Sequence, residues 1–167
     1  MGRMVVWVLI LFGGGITSLW MDWHWFRAWL LNPVFHLLSL LIGVYGLRLV
    51  MRASRNTGRW LARNGREGDI PRFETNKLVT TGYYECMRHP MHLGLLLFPM
   101  SFALILGSLS FIFIIAPLEI LFIIAMIKFV EEPGAIRKFG DQYRSYQKQV
   151  PMFAVRLSCL KQLFGKS

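Results

Sequence analysis

Acidic residues are scarce in this chain: nine Asp and Glu stand against nineteen Lys and Arg, a formal net charge of +10 over 167 residues. Cysteine is scarcer still. Cys86 and Cys159 have no metal-type spacing, which excludes a thiolate metal site and a disulfide-rich scaffold. The pair reads as free thiols. No strand pattern precedes Gly13-Gly14-Gly15, so a phosphate-cradling glycine loop is excluded, and these glycines read as close-packing positions within a helix. Internal repeats and low-complexity linkers are absent. Charge itself is missing from Met4–Met21, Ala28–Leu47 and Met91–Leu118, runs of 18, 20 and 28 residues. Runs of that length exclude an ordinary soluble domain, because about 20 mainly apolar residues cross a bilayer core.

What is present fits that exclusion. Gly107-Ser108-Leu109-Ser110 is a turn signal inside the longest run, and Phe111–Val130 carries only Glu119 and Lys128. The pattern predicts four transmembrane helices near 4–21, 28–50, 91–108 and 111–130. Trp20, Trp23 and Trp25 mark a membrane interface, so the first run reads as a retained helix and not a cleaved signal. The expected fold is an all-α integral membrane protein with added interfacial helices. It forms one domain over 1–167, with N-terminal spans and a basic helix in 1–76 and a functional core in 77–155.

Charge sets the expected orientation. Eight Lys and Arg lie in 52–88 and seven in 131–167, whereas the first loop holds only Arg27. Basic loops stay in the cytoplasm, so both termini and the 52–88 loop are expected there. Membrane lipids are the expected partner of the positive charge, and nucleic acid is not. Arg52, Arg55, Arg59, Arg63 and Arg66 recur every three or four residues and share one helical face. That face reads as a headgroup-binding surface or as a solvated one. Asn64-Gly65 is positioned to end the helix, and Glu132-Pro133 predicts a break before a new helix over about 134–149.

Two polar clusters carry the chemistry. Arg88-His89-Pro90-Met91-His92-Leu93-Gly94 opens the third span, and Glu131-Glu132 closes the fourth. A tight hairpin between those spans brings both clusters to one mouth. Adjacent carboxylates at a low-dielectric edge need partners. The mixed charges suit a zwitterion such as the α-amino and α-carboxylate groups of an amino acid, or a structural ion-pair network. Glu119, within a span, is a further candidate.

Leu78-Val79-Thr80-Thr81-Gly82-Tyr83-Tyr84, Arg88 to Gly94, Glu131-Glu132, Phe139-Gly140, Tyr143, Tyr146 and Val150-Pro151 together resemble the isoprenylcysteine carboxyl methyltransferase family. Its relatives include bacterial methyltransferase-like membrane proteins and phospholipid N-methyltransferases. The resemblance implies methyl transfer from S-adenosylmethionine to a lipophilic or lipidated substrate, and no metal. It implies that His89, Pro90, Met91 and His92 line the cofactor pocket. Leu78 and Val79 would then contact the adenine side, and Leu97 and Phe102 would face the cofactor. Glu131 would take the methionine amino group, with Glu132, or His92 for an amine acceptor, near the reacting centre. Three positions depart from the family pattern: His92 replaces a tyrosine, Val155 a proline, and Ile127 an arginine of the eukaryotic members. A sterol-type nicotinamide reductase and a non-catalytic membrane protein are the competing classes.

Overall fold

The computed structural model describes residues 2–69, 71 and 74–165, with side chains from residue 9 onward. The beginning of the first expected span, and Arg3 with it, thus has no described side chains. Among the described residues every regular element is helical. They are α1 (Gly2–Trp25), α2 (Arg27–Leu30), α3 (Pro33–Asn64), α4 (Tyr83–Cys86) and α5 (Pro90–Leu106). A π-helical segment (Phe111–Ile115), α6 (Ala116–Met126), a second π-helical segment (Ile127–Glu131), α7 (Glu132–Phe139), α8 (Asp141–Gln149) and α9 (Leu157–Phe164) follow.

Two helical runs, Pro33–Asn64 and Phe111–Phe139, are long and apolar enough to cross a membrane. Protein covers only 17% and 28% of their most apolar windows. Leu37, Leu38, Leu41, Ile42 and Val44 are therefore left facing outward, an apolar surface that calls for a lipid environment. α5 is apolar but only 17 residues long.

Local sequence explains most boundaries. Asn32 caps α3: its Oδ1 accepts the backbone N–H groups of Val34 and Phe35 at 3.0 and 3.1 Å, and Pro33 takes the first helical position, where no N–H is needed. α3 then runs without interruption into the arginine-rich stretch and ends at Asn64. Gly107, at φ 67°, makes the turn after α5.

The expected break at Pro133 does not occur. Glu132 keeps helical angles, φ −64° and ψ −45°, and α7 passes through Pro133 to Phe139. The cause lies one turn earlier. A proline clashes with the carbonyl four residues before it, here that of Phe129, and Phe129 sits in the π-helical segment, whose wider turn relieves the contact. The helix actually ends at Gly140, at φ 57°, so the single helix expected over 134–149 is instead α7 and α8.

The chain divides into two compact units, Met1–Arg48 with Leu96–Ile123 and Leu49–Leu95 with Ile124–Ser167. In the first, α3 lies so close to α5 that a Cβ on Gly43 would stand 2.7 Å from the Ile105 nitrogen. Ser39 donates to the Leu104 carbonyl, and Ala103, Phe111 and Ala116 form the buried core. Asp22 accepts the Ser110 N–H at 2.8 Å.

In the second unit, Asn56 of α3 donates to the Leu163 and Gly165 carbonyls at 3.0 and 3.2 Å, holding α9. Cys86 and Cys159 form a disulfide, which corrects the expectation of free thiols. The two are 73 residues apart, so only the fold-back of α9 onto α4 reveals the pairing.

Candidate functional site

The site lies within the second unit and is built around Arg88. Its side chain is 8% exposed, as is that of Glu132. Arg88 Nε and Nη2 donate to Glu132 Oε1 at 2.9 and 2.6 Å. Its Nη1 donates to the Gln147 carbonyl at 3.1 Å and to that of Val150. The Arg88 and His89 backbone N–H groups donate to the Pro151 and Met152 carbonyls at 2.9 and 3.2 Å. Arg88 thus ties the start of α5 to α7 and to the end of α8. A guanidinium can do this because its donors are fixed in a planar fork.

Glu132 is fully engaged. Oε1 faces Arg88 and, at 3.4 Å, His89 Nε2, while Oε2 accepts Gln147 Nε2 at 3.0 Å. Such satisfaction is what allows a buried charge pair to persist. The hairpin expected from the sequence therefore brings Arg88, His89 and Glu132 together. Gln147 is a member that sequence reasoning missed, since one polar residue on a polar helix carries no signal of its own.

Consecutive residues on a helix point about 100° apart. Glu131 accordingly takes a different direction from Glu132 and lines a cavity of about 140 Å³. Leu78, Val79, Ala135 and Phe139 give that cavity an apolar wall, and Lys77, His89 and Tyr143 give it polar groups. Tyr84 and Tyr146 also line it, and the Tyr146 hydroxyl donates to the Tyr84 carbonyl.

Burial governs the titrations here. The His89 imidazole is held down at about 4, first by burial and then by the neighbouring His92, against the pull of Glu132. It is neutral at physiological pH, with Nε2 3.5 Å from the Tyr143 hydroxyl. Burial pushes Tyr84 up to about 12 and raises Tyr143 and Tyr146 as well, so all three phenols remain protonated. Around the cavity, then, Arg88 is neutralised by Glu132, His89 is uncharged, and Glu131 contributes a carboxylate. The Glu131 carboxylate and the Lys77 ammonium thus border one cavity.

The remaining expected residues are not among those lining the Glu131 cavity. Pro90 is buried at the first turn of α5. Met91 lines a second cavity. The His92 ring lies 5.4 Å from that of His89, edge to face. Leu97 and Phe102 belong to the first unit, where the Leu97 carbonyl accepts the Ser101 hydroxyl at 2.7 Å and Phe102 packs edge-on against Phe111. Glu119 is also in the first unit, buried, with Oε1 lacking a hydrogen-bond partner among the described residues. Among the described residues no cluster of His, Cys, Asp and Glu could hold a metal.

A family model described as phospholipid methyltransferase matches residues 34–142, about two thirds of the chain. That range contains Arg88, His89, Glu131 and Glu132. No curated protein and no solved structure matches the chain.

Proposed function

We propose that this chain, which belongs to the phospholipid methyltransferase family, transfers a methyl group from S-adenosylmethionine to a lipid at the membrane surface. The observation that supports the reading is the cavity itself, whose lining sets the Glu131 carboxylate and Lys77 beside the apolar Leu78, Val79, Ala135 and Phe139. The methyl donor supplies a sulfonium-activated carbon, whose bond to sulfur breaks as the acceptor atom bonds to that carbon. Glu131 would hold the ammonium group of the methionine end, and Lys77 its carboxylate. Leu78 and Val79 offer an apolar surface toward the adenine side. His89, neutral on the cavity lining, would add no repulsion toward a cationic donor.

Glu132 acts through Arg88 and His89, fixing the cavity wall from behind. Catalysis of this kind rests on alignment, because in-line displacement by a good nucleophile needs donor and acceptor held along one axis. A carboxylate acceptor attacks without a base. A phospholipid amine must lose a proton, for which His92 is the candidate. The family match favours the phospholipid, and the prenylcysteine carboxylate is the other acceptor to test. We place the site on the cytoplasmic side of the membrane, on the distribution of Lys and Arg.

Calorimetric binding of S-adenosylhomocysteine to detergent-purified protein tests the cofactor. Glu131→Ala removes a charge-assisted hydrogen bond, costing about 1.5–3 kcal/mol, roughly 10- to 150-fold in affinity. Folded protein that fails to bind the ligand would refute the methyltransferase reading and send the search to nicotinamide cofactors.

A further inference from the structure

The stretch that brings Lys77, Leu78 and Val79 to the Glu131 cavity is neither helix nor strand. Such a segment holds its shape only where hydrogen bonds reach it from outside. The end of α3 and the residues just after it supply them. The Gly65 carbonyl accepts the Asn76 and Lys77 N–H groups at 3.0 and 3.3 Å. Asn76 adds a double bond to the Glu67 backbone: its Nδ2 donates to the Glu67 carbonyl at 2.6 Å, and its Oδ1 accepts the Glu67 N–H at 2.8 Å. At the far end, the Trp60 indole Nε1 donates to the Thr81 carbonyl at 3.1 Å.

Neither Trp60 nor Asn76 lines the cavity. We infer that both are positioning residues for the methyl donor, acting through the pinned segment 77–81, and that they set its preference for an adenine base. The inference rests on the function proposed above and deepens it.

Three observations carry it. First, the pins hold only the ends. Among the described residues no hydrogen bond falls on the backbone of Leu78, Val79 or Thr80. Val79 is buried, where an unpaired peptide group is costly. The middle of the segment thus keeps its N–H and C=O groups for a ligand, while the flanks fix where those groups stand.

Second, the glycines at both ends are explained by the pins. Gly82 has φ 64°, and a Cβ there would stand 2.5 Å from the Trp60 indole. A side chain at Gly82 would push the ring away from Thr81. Tyr83 meets the same ring edge to face, with centroids 5.9 Å apart, and holds its direction. A Cβ on Gly65 would stand 3.1 Å from Thr75 Cγ2, so the close return of the chain to Asn76 requires a glycine there as well.

Third, a fixed wall is what base selection needs. A wall that the ligand must order subtracts that ordering from affinity. Adenine offers an amino donor beside a ring-nitrogen acceptor, and hypoxanthine reverses both. Peptide groups in fixed positions tell the two apart, because the wrong base sets donor against donor. A loosened segment can turn its peptide groups to suit either base.

Titration of detergent-purified, full-length protein with S-adenosylhomocysteine and with its hypoxanthine counterpart, S-inosylhomocysteine, reads affinity and base preference together. The wild type should favour the adenosyl ligand. Trp60→Phe keeps a ring against Gly82 and Tyr83 but loses one hydrogen bond, and Asn76→Ala loses two. Each variant should weaken S-adenosylhomocysteine by up to roughly 12-fold per bond lost and should narrow the preference between the bases. Asn76 is exposed, so its variant serves should Trp60→Phe fail to fold. Without ligand, amide exchange in the peptide spanning 77–82 should quicken in both. Unchanged exchange or unchanged affinity overturns the inference. So does weaker affinity with the base preference intact, since a merely structural loss lowers both ligands alike, and so does a wild type indifferent to the base. Variants that bind as the wild type does sink the positioning role alone, whereas a wild type that binds neither ligand sinks the methyltransferase reading and this inference with it.

Discussion

Removing either partner of the Arg88–Glu132 pair should destabilise the protein, and removing both should cost less than the sum. Both side chains are 8% exposed, so a lone survivor is a charge stranded in a low dielectric, worth about 3–5 kcal/mol. Arg88→Met strands Glu132 and also frees the Gln147 and Val150 carbonyls, a further cost of about 1–3 kcal/mol if they stay unpaired. Glu132→Leu strands Arg88 but leaves those carbonyls satisfied. The double variant removes both charges and retains the carbonyl cost, roughly 1–3 kcal/mol, together with the lost Gln147 Nε2 bond that it shares with Glu132→Leu. The order expected is therefore Arg88→Met worst, Glu132→Leu next and the double variant mildest, with a coupling of at least about 2 kcal/mol. Urea unfolding of detergent-solubilised protein, followed by circular dichroism, reads these differences directly. Single losses below about 1 kcal/mol that simply add would refute the reasoning, because exposed pairs behave that way and buried ones do not.

Three further outcomes follow from the same geometry. His89 is held near 4 when folded and returns to its ordinary 6.5 when unfolded, so the unfolded state binds the extra proton between those values. Stability is accordingly full above pH 6.5 and falls as pH drops toward 4, by at most about 3 kcal/mol. Unfolding at pH 7 and pH 5 should show this slope for the wild type and lose it in His89→Gln. Alkylation of purified, denatured protein should modify no cysteine until reductant is added, and then two. Cys159→Ser should destabilise by up to about 4 kcal/mol, the loop-closure value for a 73-residue separation; a reactive thiol without reductant would contradict the bridge. Gly94→Ala should cost about 1–3 kcal/mol through overlap with Ala53, and adding Ala53→Gly in the same chain should restore thermal stability. If the second substitution brings no recovery, α3 and α5 do not meet there.

The helices were legible wherever one signal dominated. The turn at Gly107 and the end at Asn64 each depend on a few adjacent residues and stand where the sequence puts them, whereas the second span, expected from residue 28, begins at Pro33 after the separate α2. The meeting of Arg88 with Glu132 was legible as well, because a hairpin between two apolar runs leaves little choice about which ends adjoin. What could not be read depends on contacts distant in sequence. Nothing local in Cys86 or Cys159 signals a bridge that exists only because α9 folds back. Gln147 gains its role from the orientation of α8, which Gly140 sets by adopting φ 57°. The residues alone did not separate Glu131 from Glu132, since two adjacent identical residues carry no mark of which faces the cavity and which faces the guanidinium; only the family resemblance gave them different roles.

The two π-helical segments explain how that difference is maintained. Each ends two residues before a proline, Ile115 before Pro117 and Glu131 before Pro133. The carbonyls that would collide with those prolines belong to Phe113 and Phe129, both inside π turns. A wider turn accommodates the ring without ending the helix. Had the helix stopped at Glu132, as the dipeptide Glu132-Pro133 suggests, both carboxylates would sit in a fraying last turn with their directions less closely held. Because it continues to Phe139, Glu131 and Glu132 project from a rigid helix at a constant angle, one into the cavity and one into the Arg88 clamp. Sites built on helices hold their groups more closely than sites on loops. The proline is therefore part of how the site is aimed: it requires the π turn, the π turn resets the helical phase by one residue, and that phase decides which of two neighbouring carboxylates is left facing the cavity.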